Sequence, residues 1–320
     1  MAPSIDIYMT ESIIVSVVIV SWNAKAYLMQ CLSSLEENAC NYSTEILVID
    51  NASTDGSPEF VAENFPYIRL IRNPVNLGFS KANNIGIKNS RGKYVCLINS
   101  DVRILKDCIK NLVAFMETHP DIGLAGPRML DANEKAGRSC RGFPTVWNMF
   151  CHAIGLDRIF PGIPFISNYT LPYWHHNTTR QVDILGGWFW IARRAALDEV
   201  GLLDENFFFY AEDMDWCKRF QLKGLGVMFL ATAESIHYGG GSSKNAPVKY
   251  YIQQQRADYQ YWRKHHSRFE IFAYYCICLL HHFVRFIGHG ILLPFSELYE
   301  QRLSKAQRSG YCLLWLLRGT

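Results

Sequence analysis

Val15-Ser16-Val17-Val18-Ile19-Val20-Ser21-Trp22-Asn23 is the stretch from which the fold is read. All but one of its first six residues are β-branched, and the run ends abruptly in a polar Ser-Trp-Asn. Such a short apolar segment bounded by turn residues predicts a strand buried on both faces. Similar segments recur at 45–49, 68–71 and 94–98, while helical periodicity fills 25–37, 57–64 and 80–89. Strands alternating with helices predict βαβ units and a largely parallel sheet, hence an α/β fold. Ligands of such sheets bind beyond the carboxyl ends of the strands. Polar residues gather at those ends: Ser21 to Asn23, Asp50 to Asp55, and Asn99 to Asp101.

With 49% hydrophobic and 19% charged residues among 320, the chain is rich enough in apolar side chains to exclude disorder and long enough for a full core. A net charge of +3 without a basic stripe argues against a nucleic-acid partner. The ten cysteines lack paired C-x-x-C spacing and read as reduced thiols of a cytosolic protein. The first apolar run, 13–20, is too short to span a bilayer. The chain divides into an N-terminal extension (1–12), an α/β domain (13–245, in two halves, 13–128 and 129–245) and a helical region (246–320). Within the second half, 138–179 is irregular and reads as a lid or acceptor-side insertion. Regular structure resumes at 182–191, a helix is expected over 193–200, and another opens near Glu212. A helical tail is expected from about 247. Its apolar stretch, 271–294, carries His281, Arg285 and His289 at i, i+4 and i+8, one polar stripe that favours an interfacial helix over a spanning one. Arg263, Lys264, His265, His266 and Arg268 precede it and are expected to meet anionic headgroups or a lipid diphosphate.

Four positions carry candidate chemistry. Asp50 ends an apolar strand, where a carboxylate can accept the imide N–H of uracil or thymine; the bland alternative is a turn with a helix cap. Asp101 closes another strand and offers a hard cation one oxygen ligand, so a second ligand must come from elsewhere. His237 is the best candidate for it, because glycines follow it and allow close approach to phosphate. Glu212-Asp213-Met214-Asp215 follows four aromatic residues. Acidic residues suit a helix start, yet a like-charge cluster beside aromatics also raises a carboxylate toward a useful general base.

The order and spacing of these segments resemble glycosyltransferase family 2, and within it the rhamnosyltransferase-like bacterial enzymes of cell-surface polysaccharide synthesis. The matching segments are 17–23, 48–57, 76–79 with Asn83 and Gly86, 97–101, 201–215 and 237–242. The resemblance, which covers roughly 13–245, implies a GT-A, Rossmann-like nucleotide-diphospho-sugar transferase fold with a donor half (13–128) and an acceptor half (129–245), to which the chain adds the C-terminal helical tail already read as membrane-associating. It assigns Val20, Trp22, Asp50, Asn76, Asn83 and Asp101 to the donor nucleotide, Asp101 and His237 to Mg²⁺ or Mn²⁺, Gly187 and Trp188 to sugar and acceptor, Asp213 to the catalytic base and Glu212 to its support. It also implies inversion, a dTDP-rhamnose or UDP-hexose donor, a glycan or lipid-linked saccharide acceptor, and a place at the cytoplasmic face of the membrane. Two positions depart from the family pattern: Asn99 replaces the first carboxylate of the metal motif, and Trp22 stands where Tyr is commoner. A nucleotide-sugar-binding module without transferase activity is the alternative. No G-x-G-x-x-G follows the first strand, which argues against a dinucleotide enzyme.

Overall fold

The computed structural model describes residues 14–38, 42–239, 247–291 and 299–318; the N-terminal extension expected at 1–12 lies outside them. The first half runs β1 (Val15–Ser21), α1 (Lys25–Glu37), β2 (Thr44–Asp50), α2 (Ser57–Asn64), β3 (Arg69–Arg72), α3 (Phe79–Asn89), β4 (Tyr94–Asn99), β5 (Val102–Ile104) and α4 (Cys108–Thr118). The second half runs β6 (Ile122–Leu130), β7 (Cys140–Arg141), α5 (Val146–Ile154), α6 (Leu156–Ile159), α7 (Pro164–Ser167), β8 (Arg180–Gln181), β9 (Ile184–Leu185), β10 (Phe189–Arg193), α8 (Arg194–Val200), α9 (Glu212–Leu222) and β11 (Gly226–His237). Three helices follow: α10 (Pro247–His265), α11 (Arg268–Ile291) and α12 (Tyr299–Leu317).

The main sheet has the order β3-β2-β1-β4-β10-β6-β11-β5, with β8 added beside β11. Strands β3, β2, β1 and β4 are parallel, as their βαβ connections require. Alternation sends Val17 and Ile19 to one side of β1 and Val18 to the other, and each side has its own buried cluster. Helix α3 lies so close to β1 that a Cβ on Gly86 would stand 2.1 Å from Val18. Register sets Ser21 beside Asp50 and Val20 beside Asn99, so three polar strand ends form one row.

Beyond β4 the sheet becomes mixed: β10 runs antiparallel to β4 and β6, and β5 antiparallel to β11. The stretch 182–191 is not one strand; Gly186 and Gly187 interrupt it between β9 and β10. The irregular insertion contains β7 and three short helices, α5 opening with a reciprocal Thr145–Asn148 capping box. Asn in place of the usual Glu or Gln hides that signal in the sequence.

The tail differs from expectation in what it turns outward. Tyr261, Trp262, Tyr274 and Leu316 share a buried cluster with Ile184, Phe207 and Met214, fastening the tail to the catalytic half. Lys264 and His265 are engaged within the protein: both lie 2.7 Å from the fully buried Asp215, which also pairs with Arg219 at 2.9 Å, while Arg263 and Arg268 are exposed. His266 stacks on Trp262, its ring centroid 3.9 Å away. The stripe of α11, His281, Arg285 and His289, is half-buried, and the neighbouring His282 is buried against Gln255. Burial pushes His281 down to about 3 and keeps it neutral. Phe269, Phe272, Phe283, Phe286, Ile287 and Ile291 face outward instead. By length and composition α11 is apolar enough to cross a bilayer, and little of it is buried.

Candidate functional site

A cavity of about 1210 Å³ lies across the carboxyl ends of β1, β2 and β4. Of the residues singled out in the sequence, Val20, Trp22, Asn76, Asp101 and His237 line it; Asp50, Asn83, Gly187, Trp188, Glu212 and Asp213 are not among its lining residues. Asp50 is buried at the end of β2: one carboxylate oxygen accepts the Ser53 N–H at 3.2 Å, and the other, Oδ1, has no partner. A buried polar atom left unpaired is costly and calls for a ligand or water. Asn83 donates its side-chain amide to the Phe79 carbonyl at 3.0 Å, within its own helix.

Asn51, which the sequence reading left without a role, organises this wall. Its amide donates to Asn76 Oδ1 at 2.9 Å and to the Gly78 carbonyl at 3.2 Å, and its Oδ1 accepts from Leu77 N–H at 3.0 Å. Gly78 has φ +80°, and a Cβ there would lie 2.5 Å from the Phe208 carbonyl oxygen, so only glycine fits. Phe79 N–H donates to that same carbonyl at 2.7 Å, tying the loop to the aromatic run ahead of α9. Tyr210 and Ala211 both take positive φ, 75° and 64°, immediately before Glu212. Non-glycine residues held in this region store strain and cluster at functional sites.

Asp101 and His237 meet because of sheet topology. The chain leaves β4 at Asn99, turns through Ser100 and Asp101, and enters β5, whose Val102 pairs with His237 at the end of β11. His237 Nε2 and Asp101 Oδ1 are 3.2 Å apart, and Trp188 lies flat against the imidazole with centroids 5.5 Å apart. Among the described residues no group of three or more His, Cys, Asp or Glu gathers as a metal cluster. One carboxylate and one imidazole nevertheless suit a divalent cation that takes its remaining ligands from phosphate and water, as Mg²⁺ typically does in phosphate sites. The glycines at 240 and 241 lie outside the described residues.

Glu212 and Asp213 open α9 and are both buried. Burial, then the neighbouring Asp213, pushes the Glu212 carboxyl well above the usual carboxylate range, and its Oε2 has no partner. Asp213 is held by Arg141 at 2.6 Å and accepts the Met214 N–H at 2.9 Å. Arg141 sits on β7 inside the irregular insertion and has no signal in the sequence; Tyr169 and Asp258 also act on it electrostatically. Burial pushes Asp258, on α10, up to about 7. A Cβ on Gly187 would stand 3.5 Å from Glu212 Oε1 and 3.0 Å from the Trp190 ring, so the glycine break brings β10 against the acidic pair.

A parallel half-sheet joined to a mixed second half is the architecture of a GT-A fold. The chain belongs to glycosyltransferase family 2: the model described as Glycosyl transferase family 2 matches residues 16–201. It is 27% identical over 265 residues, 79% of this chain and 85% of the relative, to an N-acetylglucosaminyl-diphospho-decaprenol L-rhamnosyltransferase of Mycobacterium tuberculosis. Among solved structures it resembles the Pyrobaculum calidifontis mannosyltransferase PcManGT in complex with GDP-Man and Mn²⁺, with TM-score 0.57, 15% identity, and coverage of 94% of this chain and 87% of the other. It also resembles S. aureus TarS, with TM-score 0.51 and 18% identity over 79% of this chain, and spans 43% of that longer protein.

Proposed function

We propose that this glycosyltransferase performs a metal-dependent, inverting transfer of a hexose onto a glycan or lipid-linked saccharide in cell-surface polysaccharide synthesis. Rhamnose from dTDP-rhamnose is the preferred donor sugar and a UDP-hexose the next. The observation that carries the reading is the meeting of Asp101 and His237 at 3.2 Å on a cavity also lined by Val20, Trp22 and Asn76. Similarity to the mycobacterial rhamnosyltransferase supports the sugar, and the mannosyltransferase solved with GDP-Man and Mn²⁺ supports the cation.

In this reading the unpartnered Asp50 Oδ1 accepts the imide N–H of thymine or uracil, between Val20 and Trp22. Asn76, fixed by Asn51, and Asn83 hold the loop and helix behind the nucleotide. Asp101 and His237 would hold Mg²⁺ or Mn²⁺, which when bound would supply positive charge against that growing on the departing diphosphate. Asp213 takes the proton from the acceptor oxygen, with Arg141 fixing its orientation. Glu212 keeps its own proton at neutral pH and so adds no second negative charge. Gly187 and Trp188 border the transferred sugar. Attack opposite the leaving group inverts the anomeric centre. A binding module without transferase activity would need Asp50 but neither Asp213 nor His237.

The test is thermal stability with dTDP, UDP and GDP, each with Mn²⁺ and with EDTA. A Mn²⁺-dependent rise with dTDP or UDP is expected, amounting to about 2.7 kcal/mol at a hundredfold excess over Kd. No rise with any nucleotide refutes the donor site. We further propose attachment to the inner face of the cell membrane, supported by the apolar outer face of α11.

A further inference from the structure

The cavity has a second wall that the strand ends do not build. It comes from α10 and α12, and on α10 it presents Lys249, Gln253 and Arg256. These residues stand at i, i+4 and i+7, one face of a helix, and span about 10 Å along its axis. Lys249 and Arg256 are exposed, and among the described residues neither forms an ion pair with a carboxylate; the Arg256 guanidinium lies over the Trp315 ring at 5.9 Å. The one carboxylate among the lining residues, Asp101, is 3.2 Å from His237. Gln307 and Tyr311 of α12 add neutral polar groups beside these cations. The same tail turns the apolar side chains of α11 outward. Cations toward the cavity and hydrocarbon away from it match a ligand that is anionic at one end and lipid at the other.

We propose that Lys249 and Arg256 form a subsite for the diphosphate of a lipid-linked acceptor, separate from the Asp101–His237 site for the donor's diphosphate. This rests on the lipid-linked acceptor of the proposed function and assigns residues to it. A diphosphate in such a linkage is doubly charged, and two cations on a helical wall distinct from the strand-end wall balance it without drawing on the donor's cation.

The full-length protein, loaded with Mn²⁺ and whichever of dTDP or UDP binds, is titrated calorimetrically with farnesyl diphosphate and with farnesol. The wild type is expected to prefer the diphosphate by about tenfold or more, the scale of charge-assisted hydrogen bonds. The double variant Lys249→Ala, Arg256→Ala should lose that preference while its nucleotide affinity stays within about twofold. The charge-keeping pair Lys249→Arg, Arg256→Lys should retain the preference, which excludes a purely steric effect. A preference that survives in the alanine variant overturns the proposal. So does a nucleotide affinity that falls by the same factor, since the cations would then serve the donor. The nucleotide titration alone reports on the donor site, so the two readings fail separately.

Discussion

The two walls of the cavity are built by opposite rules. On the strand-end wall, Val20, Asn51 and Asn99 occupy the ends of β1, β2 and β4, placed side by side by parallel register. The tail wall comes from helices late in the chain and depends on tertiary anchors, chiefly Asp215 with Lys264 and His265. Parallel pairing fixes neighbours once the strands form, whereas a docked helix is positioned only by what it packs against. Helix α9 serves both: Asp213 pairs with Arg141, and two residues later Asp215 holds Lys264 and His265 of the tail.

The largest effect is expected at the start of α9. Asp213→Asn should lower turnover by about 10²–10⁴-fold with nucleotide affinity little changed. Normal turnover would remove Asp213 from its role. Loosening the tail wall comes next. Asp215→Ala leaves His265 and Arg219 without their carboxylate and Lys264 with Asp204 alone, and should cost about 3–5 kcal/mol in denaturant unfolding, as breaking a buried pair does. In the wild type those partners outweigh burial and hold Asp215 down at about 2; this contribution is present above 3.8 and is lost as the pH falls toward about 2. An unchanged midpoint would mean that apolar packing alone holds the tail.

The outer face is tested by Phe283→Asp with Phe286→Asp, both exposed. Binding to anionic vesicles should weaken by about tenfold or more per side chain, from the apolar area each buries, with the melting temperature unchanged. Equal vesicle binding by wild type and variant would argue against attachment through α11. Deleting the tail is a poorer test, because α10 and α12 line the cavity. The smallest effect concerns pH. Glu212 is raised in the folded state, so its contribution is present below its ordinary 4.5 and is lost as the pH rises through the folded value. Glu212→Gln should flatten the decline of stability between 4.5 and about 8, read from melts across that range; an identical slope would mean that Glu212 does not carry the proton.

The strand-end residues were legible because each lies next to the strand that positions it: the apolar run into Ser21 and the carboxylate ending β2 are local patterns. Asn51 lay within a motif already quoted, yet its part in holding the 76–78 loop required that loop in space. Arg141 had no local mark at all, since its partner is brought to it by the β7–β9 pairing and the start of α9.

The tail shows the limit most plainly. Periodicity correctly grouped His281, Arg285 and His289 on one side of a helix, but periodicity does not state which side a protein buries. The sequence by itself determined the α/β class, the family and the strand-end carboxylates, because backbone propensity and burial pattern act over neighbouring residues. Only the tertiary structure decided that Asp101 meets His237, that Arg141 holds Asp213, and that the tail faces its cations to the cavity and its phenylalanines outward. Those outcomes depend on contacts between segments far apart in the chain, whose geometry is set by packing and topology.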